Sequence, residues 1–137
     1  AFGAKAVFYD VNPEARTLNA QRMSFGELLK SSDIVTLHCS TKEQLLGREA
    51  LTSMKSGAWL VNTARGSLLD EIALAELLKN GHLAGAALDV FEQEPYQGPL
   101  AQLPNVIVAP HIGSYATESR VQMEADAVKN LLEGLAL

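Results

Sequence analysis

The 137-residue sequence has little of what marks disulfide-rich, membrane or nucleic-acid-binding proteins. It contains one cysteine, so an intrachain disulfide is impossible, and this favours a reducing compartment such as the cytoplasm. No apolar run approaches the roughly 20 residues that span a membrane, so we expect no membrane association. Eleven Lys and Arg against sixteen Asp and Glu give a net charge of −5. Because nucleic-acid affinity depends on basic groups that displace counterions, we expect no nucleic-acid partner.

Short apolar runs alternate along the chain with segments of helical periodicity. The runs show little alternation of polar and apolar residues, which is typical of parallel strands covered on both faces. They span residues 6–9, 34–38, 58–62, 84–90 and 105–109. This order predicts one α/β domain, a Rossmann-like parallel sheet with helices on both faces.

Helix signals occupy the segments between the runs. Ser24 and Glu27 have the spacing of a capping box, and two leucines follow them. Apolar residues recur at helical spacing after Asp70, and Asn80 and Gly81 close that segment. One predicted helix therefore begins near Ser24, and three others cover residues 48–54, 70–79 and 116–135.

Ligands of such sheets bind beyond the carboxyl ends of the strands. Every predicted strand is followed by residues that can contact a ligand. These are Asp10; His38, Cys39, Ser40 and Thr41; residues 62–66; Asp89, Glu92 and Glu94; and residues 110–114. The sequence therefore predicts a site at this edge of the sheet.

Two of these positions each allow a binding role and a structural one. Asp10 can accept hydrogen bonds from both hydroxyls of an adenine ribose, or it can cap a helix that starts before Asn12 and Pro13. Arg65 can bind a carboxylate through two parallel hydrogen bonds, and Gly66 beside it would let a ligand approach the backbone closely. An exposed surface arginine is the alternative for Arg65.

His111 and Glu94 form the most informative pair. Histidine is the natural acid–base group near neutral pH, and a carboxylate on its other ring nitrogen would orient it. We expect His38 and His82 to be structural. Cys39 stands alone, with no paired His and Cys spacing, so we expect no metal site.

Five segments occur in one order: residues 7–10, 33–39, 62–70, 85–95 and 110–114. Together they resemble the D-isomer-specific 2-hydroxyacid dehydrogenase family, which includes D-3-phosphoglycerate dehydrogenase-like enzymes. The resemblance implies an NAD-dependent oxidoreductase that interconverts a small D-2-hydroxy acid and its 2-oxo acid by hydride transfer. It implies that Arg65 holds the substrate carboxylate, that His111 exchanges the proton, and that Glu94 pairs with His111.

The resemblance also implies a set of NAD-binding positions. Asp10 would bind the adenosine ribose, and Asp89 would contact the nicotinamide carboxamide end. The full set is Asp10, Thr63, Ala64, Arg65, Asp89, His111, Gly113 and Ser114. Ser114 is equally a candidate for starting the following helix.

The family's nucleotide-binding domain begins with a strand and a G-x-G-x-x-G turn, which this sequence does not contain. We therefore expect residues 1–137 to be the C-terminal part of that domain, without the separate substrate-binding domain and with little activity alone. We place the missing first strand between the strands that end at Asp10 and Asn62. Two exposed strand edges would result, so we expect self-association as a homodimer. A non-catalytic dimerisation or scaffold module is the alternative function.

Overall fold

The computed structural model of the chain describes residues 3–17, 19–39, 41 and 43–135; Ser40, one of the residues after a predicted strand, lies outside them. Within these residues strands alternate with helices. In chain order the elements are β1 (Val7–Phe8), β2 (Gln21–Arg22), α1 (Phe25–Ser31), β3 (Ile34–Leu37), α2 (Arg48–Ser53), β4 (Trp59–Asn62), a 3-10 turn (Gly66–Leu68), α3 (Glu71–Lys79), β5 (Gly85–Leu88), a second 3-10 turn (Pro99–Gln102), β6 (Val106–Val108) and α4 (Thr117–Gly134).

The strands are all parallel, as predicted. β1 pairs with β2, and the other four form a sheet in the order β3-β4-β5-β6. Neighbouring strands of the larger sheet follow one another in the chain, and each connection returns to the start of the next strand. The α/β Rossmann-like class is confirmed.

The place of β4 in the sheet corrects one expectation. β2 consists of two polar residues, so the pattern of apolar runs does not indicate it. β4, which ends at Asn62, pairs with β3 on one side and with β5 on the other. The prediction that this strand forms an exposed edge is therefore wrong. Among the described strands, β3 is the outer strand on that side.

The core lies between one face of the larger sheet and helices α1, α2 and α3. It includes Leu29 from α1, Leu51 from α2 and Leu74 from α3, packed with inward-facing side chains of the strands. On the opposite face Ile34 and Ile107 are exposed. Every described residue of α4 is exposed as well. Within the described residues, helix cover therefore lies on one face of the sheet.

The helix ends follow the signals in the sequence. The side chain of Ser24 accepts the Glu27 N–H, and the Glu27 carboxylate accepts the Ser24 N–H, so the predicted capping box is confirmed. Asp70 caps α3 by accepting the Ala73 N–H at 2.9 Å. Gly81 follows that helix with φ +77°, a conformation that glycine adopts readily. None of the described helices is both long and apolar enough to cross a bilayer.

Candidate active site

The register of the sheet brings three site segments to one edge. Asn62, Leu88 and Val108 are aligned across β4, β5 and β6. The chain segments that carry Arg65, Glu94 and His111 leave the sheet just beyond these aligned residues. Parallel strands therefore place the three predicted catalytic residues in loops at the carboxyl edge, where α/β proteins bind ligands.

His111 and Glu94 are hydrogen-bonded to each other. His111 Nδ1 lies 2.9 Å from Glu94 Oε2, and about half of the histidine side chain is exposed. The other carboxylate oxygen, Oε1, accepts the Phe91 N–H at 3.1 Å. The pKa of Glu94 lies below its ordinary value, mainly because of the hydrogen bond to His111 and next because of the hydrogen bond from Phe91. The imidazole is thus held through Nδ1, while about half of the side chain stays accessible.

Asp89 holds the loop that carries His111. Its carboxylate is buried and accepts the N–H groups of Ile112 at 2.9 Å and Gly113 at 2.8 Å. His111 itself has φ +57°, which is uncommon for a residue with a side chain. Two charge-assisted hydrogen bonds directly after His111 help to maintain this backbone. Sequence reasoning missed this contact, because Asp89 and Gly113 lie 24 residues apart.

A fully buried asparagine shapes the turn before Arg65. Asn62 Oδ1 accepts the Ala64 N–H at 3.0 Å, and Asn62 Nδ2 donates to the Arg65 carbonyl at 2.9 Å. The guanidinium of Arg65 is exposed and donates to the neighbouring Ala64 carbonyl at 2.6 Å. None of the ion pairs between described residues includes Arg65. Its charge is therefore available to an anionic ligand.

Gly66 packs against protein backbone. The sequence pattern instead predicts that this glycine lets a bound ligand approach the chain closely. A Cβ built at Gly66 would lie 1.8 Å from the carbonyl carbon of Phe91 and 2.2 Å from the Glu92 nitrogen. The segment after Arg65 and the segment before Glu94 are thus in direct backbone contact. A side chain at position 66 would push them apart.

The remaining predicted cofactor positions are less enclosed. The Asp10 carboxylate is exposed and accepts the Asn12 N–H at 2.8 Å. The described residues 11–17 form bends and turns with no helix, so the helix-capping alternative for Asp10 is wrong. Thr63 and Ser114 are exposed, and Ala64 is partly buried. The ribose-binding role of Asp10 and the cofactor roles of the other three stay predictions.

The other histidines make local contacts. His38 Nε2 lies 3.0 Å from Thr36 Oγ1 on the preceding strand. The His82 N–H donates to Asn80 Oδ1 at 2.9 Å in the turn after α3. Cys39 is partly buried and packs against the core. In the described part of the chain, no group of three or more His, Cys, Asp and Glu side chains is arranged to hold a metal ion.

The contact between Glu94 and His111 makes a direct prediction. Because His111 lowers the pKa of Glu94, the contact stabilises the folded chain at pH values above the ordinary carboxyl pKa. This stabilisation is lost as the pH falls through the lowered pKa of Glu94. We expect His111→Ala to raise the Glu94 pKa, measured by ¹³C NMR titration of the carboxyl group. His38→Ala is the control and should leave the Glu94 titration unchanged. An unaltered Glu94 pKa in His111→Ala would contradict the contact.

The family model described as D-isomer specific 2-hydroxyacid dehydrogenase, NAD binding domain, matches residues 1–113. The chain belongs to this dehydrogenase family. It is 45% identical over 138 residues to a glyoxylate reductase of Thermococcus litoralis, covering 96% of this chain and 42% of that relative. The chain thus spans less than half the length of the curated relatives it matches.

Solved structures of other proteins have the same fold as this member of the dehydrogenase family. The TT0316 protein of Thermus thermophilus is 45% identical with a TM-score of 0.87, and the match covers 93% of this chain and 42% of that one. A D-isomer specific 2-hydroxyacid dehydrogenase of Lactobacillus delbrueckii ssp. bulgaricus, in its NAD complexed form, is 33% identical with a TM-score of 0.84. That match covers 96% of this chain and 47% of the other.

The residues present in this dehydrogenase-family chain fit part of NAD. The exposed carboxylate of Asp10 has the acceptors that a ribose diol requires. A Cβ at Gly113 would lie 2.9 Å from Asp89 Oδ2, so the bare Cα lets the loop lie close against Asp89. The glycine-rich phosphate turn is absent from the sequence. The match of residues 1–113 to the family's NAD binding domain confirms NAD, the cofactor expected from the sequence.

Proposed function

We propose that the chain carries the catalytic arginine, glutamate and histidine of an NAD-dependent oxidoreductase that interconverts a D-2-hydroxy acid and its 2-oxo acid. The observation that carries the proposal is the 2.9 Å contact between His111 Nδ1 and Glu94 Oε2, at the sheet edge where Arg65 also lies. Two relatives that are 45% and 43% identical are named glyoxylate reductase, which favours a small 2-oxo acid as substrate.

Arg65 is proposed to bind the substrate carboxylate. Its guanidinium is exposed and can donate two parallel N–H bonds to the two carboxylate oxygens. The turn before it is fixed by the buried Asn62. An acid held in this way presents its C2 atom to the loop of His111 in a restricted orientation, which lowers the entropic part of the barrier.

His111 is proposed to be the acid–base residue. Its Nδ1 is occupied by Glu94, so Nε2 is the nitrogen that gives a proton to the C2 oxygen during reduction and takes it back during oxidation. The Glu94 carboxylate stabilises the protonated ring by charge. NAD supplies or accepts the hydride at C2 when bound. During reduction the C2 carbonyl therefore gains one hydride at carbon and one proton at oxygen.

The cofactor is proposed to contact residues at the ends of several strands. Asp10 would accept hydrogen bonds from the adenosine ribose, and its charge would repel a 2′-phosphate, favouring NAD over NADP. Asp89 would contact the nicotinamide end. The other proposed contacts are Thr63, Ala64, Arg65, His111, Gly113 and Ser114.

The same proposal includes four properties of the chain as a whole. We propose that residues 1–137 act as part of an NAD-binding domain and have little activity on their own. We also propose self-association as a homodimer in the cytoplasm. A non-catalytic dimerisation module is the second candidate, and the exposed Ile34, Trp59 and Ile107 on the open sheet face favour it.

Activity is best tested on two forms of the protein. One is the 137-residue chain alone, and the other is the chain fused behind the preceding part of the Thermococcus litoralis glyoxylate reductase. NADH oxidation is followed with glyoxylate, pyruvate and hydroxypyruvate. The enzyme proposal expects turnover by the fusion and little by the chain alone. Binding of NADH without turnover of any 2-oxo acid by the fusion would favour the non-catalytic alternative.

The role of Arg65 makes a separable prediction. We expect Arg65→Gln in the fusion to raise KM for the 2-oxo acid by about 10- to 100-fold, because one or two charge-assisted hydrogen bonds are lost. Arg65→Lys keeps the positive charge but cannot donate two parallel hydrogen bonds. Its KM for the 2-oxo acid should lie between that of the parent and that of Arg65→Gln. KM for NADH should rise less in both variants, because Arg65 is only one of the eight proposed cofactor contacts. Equal increases in both KM values would argue against carboxylate binding by Arg65.

A further inference from the structure

The segment that presents Glu94 to His111 is a loop at the surface of the core. We call residues 90–96 the Glu94 loop. Its first half is anchored at Phe91, which is buried and stacks on Tyr96 with ring centroids 4.1 Å apart. The Phe91 N–H also donates to Glu94. Glu92 and Glu94 are exposed, so the core alone does not fix the outer half of the loop.

A second anchor comes from the start of α3. Glu71 Oε1 accepts the Glu92 N–H at 2.8 Å, across 21 residues of sequence. Glu71 is partly buried, and this burial raises its pKa, while the bond from the Glu92 N–H opposes the rise and the nearby Glu92 charge adds to it. A carboxylate that loses water in this position is compensated by the hydrogen bond it accepts. The contact ties the Glu94 loop to α3.

The contact is not needed to cap α3. Asp70 already serves as the N-cap of that helix, since its side chain accepts the Ala73 N–H. Glu71 is therefore free to reach outward from the first turn. Its partner lies two residues before Glu94, on the exposed side of the loop.

We propose that Glu71 is a positioning residue, which holds the Glu94 loop through the Glu92 N–H so that Glu94 Oε2 meets His111 Nδ1. The inference rests on the proposed function only in giving His111 the proton transfer. The positioning itself is a property of the loop and is measurable without any turnover.

Three substitutions separate the hydrogen bond from the charge. Glu71→Gln removes the charge but keeps an oxygen acceptor at the same reach. Glu71→Asp keeps the charge but is one methylene too short to meet the Glu92 N–H. Glu92→Gln removes a neighbouring negative charge and leaves its own backbone N–H in place.

The readout is the tautomer of neutral His111 in the 137-residue chain, from its ¹⁵N ring shifts. A carboxylate acceptor at Nδ1 favours the Nδ1–H form. We expect Glu71→Asp to lower the ratio of Nδ1–H to Nε2–H by about threefold or more, as expected for a weakened charge-assisted hydrogen bond. Glu71→Gln and Glu92→Gln should keep the ratio near that of the parent chain.

The outcomes that overturn the proposal are equally distinct. An unchanged ratio in Glu71→Asp would show that Glu94 is placed without Glu71. Loss of the Nδ1–H form in Glu71→Gln with retention in Glu71→Asp would show that charge and not reach matters. Thermal melting of each variant checks that the fold persists. Because no step of the measurement needs substrate, failure of the proposed activity leaves this test intact.

Discussion

We expect His111→Ala to lower kcat for reduction of a 2-oxo acid by about 10²- to 10⁴-fold in the fusion form, and NADH affinity to fall much less, because seven of the eight proposed cofactor contacts remain. The alanine removes the only proposed proton donor to the C2 oxygen, while Arg65 and the Asp10 carboxylate stay in place. Hydride transfer without that proton leaves an uncompensated negative charge on oxygen. Steady-state kinetics gives kcat, and calorimetry gives NADH binding.

Two further variants make the kinetic result specific. Glu94→Gln keeps a hydrogen-bond partner for Nδ1 but loses the charge, so its kcat should fall by less than that of His111→Ala. His38→Ala removes a histidine that contacts Thr36 and should leave kcat unchanged. Activity of His111→Ala at the level of His38→Ala would refute the acid–base role.

The parts of the fold that sequence predicted are those specified by neighbouring residues. The capping box of Ser24 and Glu27 involves residues only three positions apart, so local spacing identifies it. The strands of the larger sheet were found because they are apolar. β2 was missed because Gln21 and Arg22 carry no apolar signal, and only pairing with β1 makes them a strand.

The site shows the same division between local and distant information. Strand-end position placed Arg65, Glu94 and His111 near one another, and β4, β5 and β6 provide the alignment. The contacts that hold them were not predicted. Asp89 binds the loop after His111 from 24 residues away, and Glu71 binds the Glu94 loop from 21 residues away. No periodicity or spacing indicates such pairs, since they depend on which distant segments of the chain meet in the fold.

Gly66 is the position where the site and the stability of the fold are most closely linked. We expect Gly66→Ala to lower the free energy of unfolding by about 3 kcal/mol, the upper range for overpacking. The added Cβ would lie 1.8 Å from the Phe91 carbonyl carbon, and backbone on both sides leaves no flexible side chain to move aside. Urea unfolding followed by circular dichroism measures the change.

Gly26 provides a matched control for the same added methyl group. It lies in α1, and a Cβ there would meet nothing within 4 Å, so Gly26→Ala should stabilise the chain by about 0.5–1 kcal/mol through helix propensity. The two variants should thus shift the urea midpoint in opposite directions. In Gly66→Ala the segments of Arg65 and Glu94 must also separate, so the Nδ1–H form of His111 should decrease. A urea midpoint for Gly66→Ala equal to that of the parent would mean that the two segments are not in backbone contact in solution. The proposed link between the stability of the fold and the geometry of the site would then be wrong.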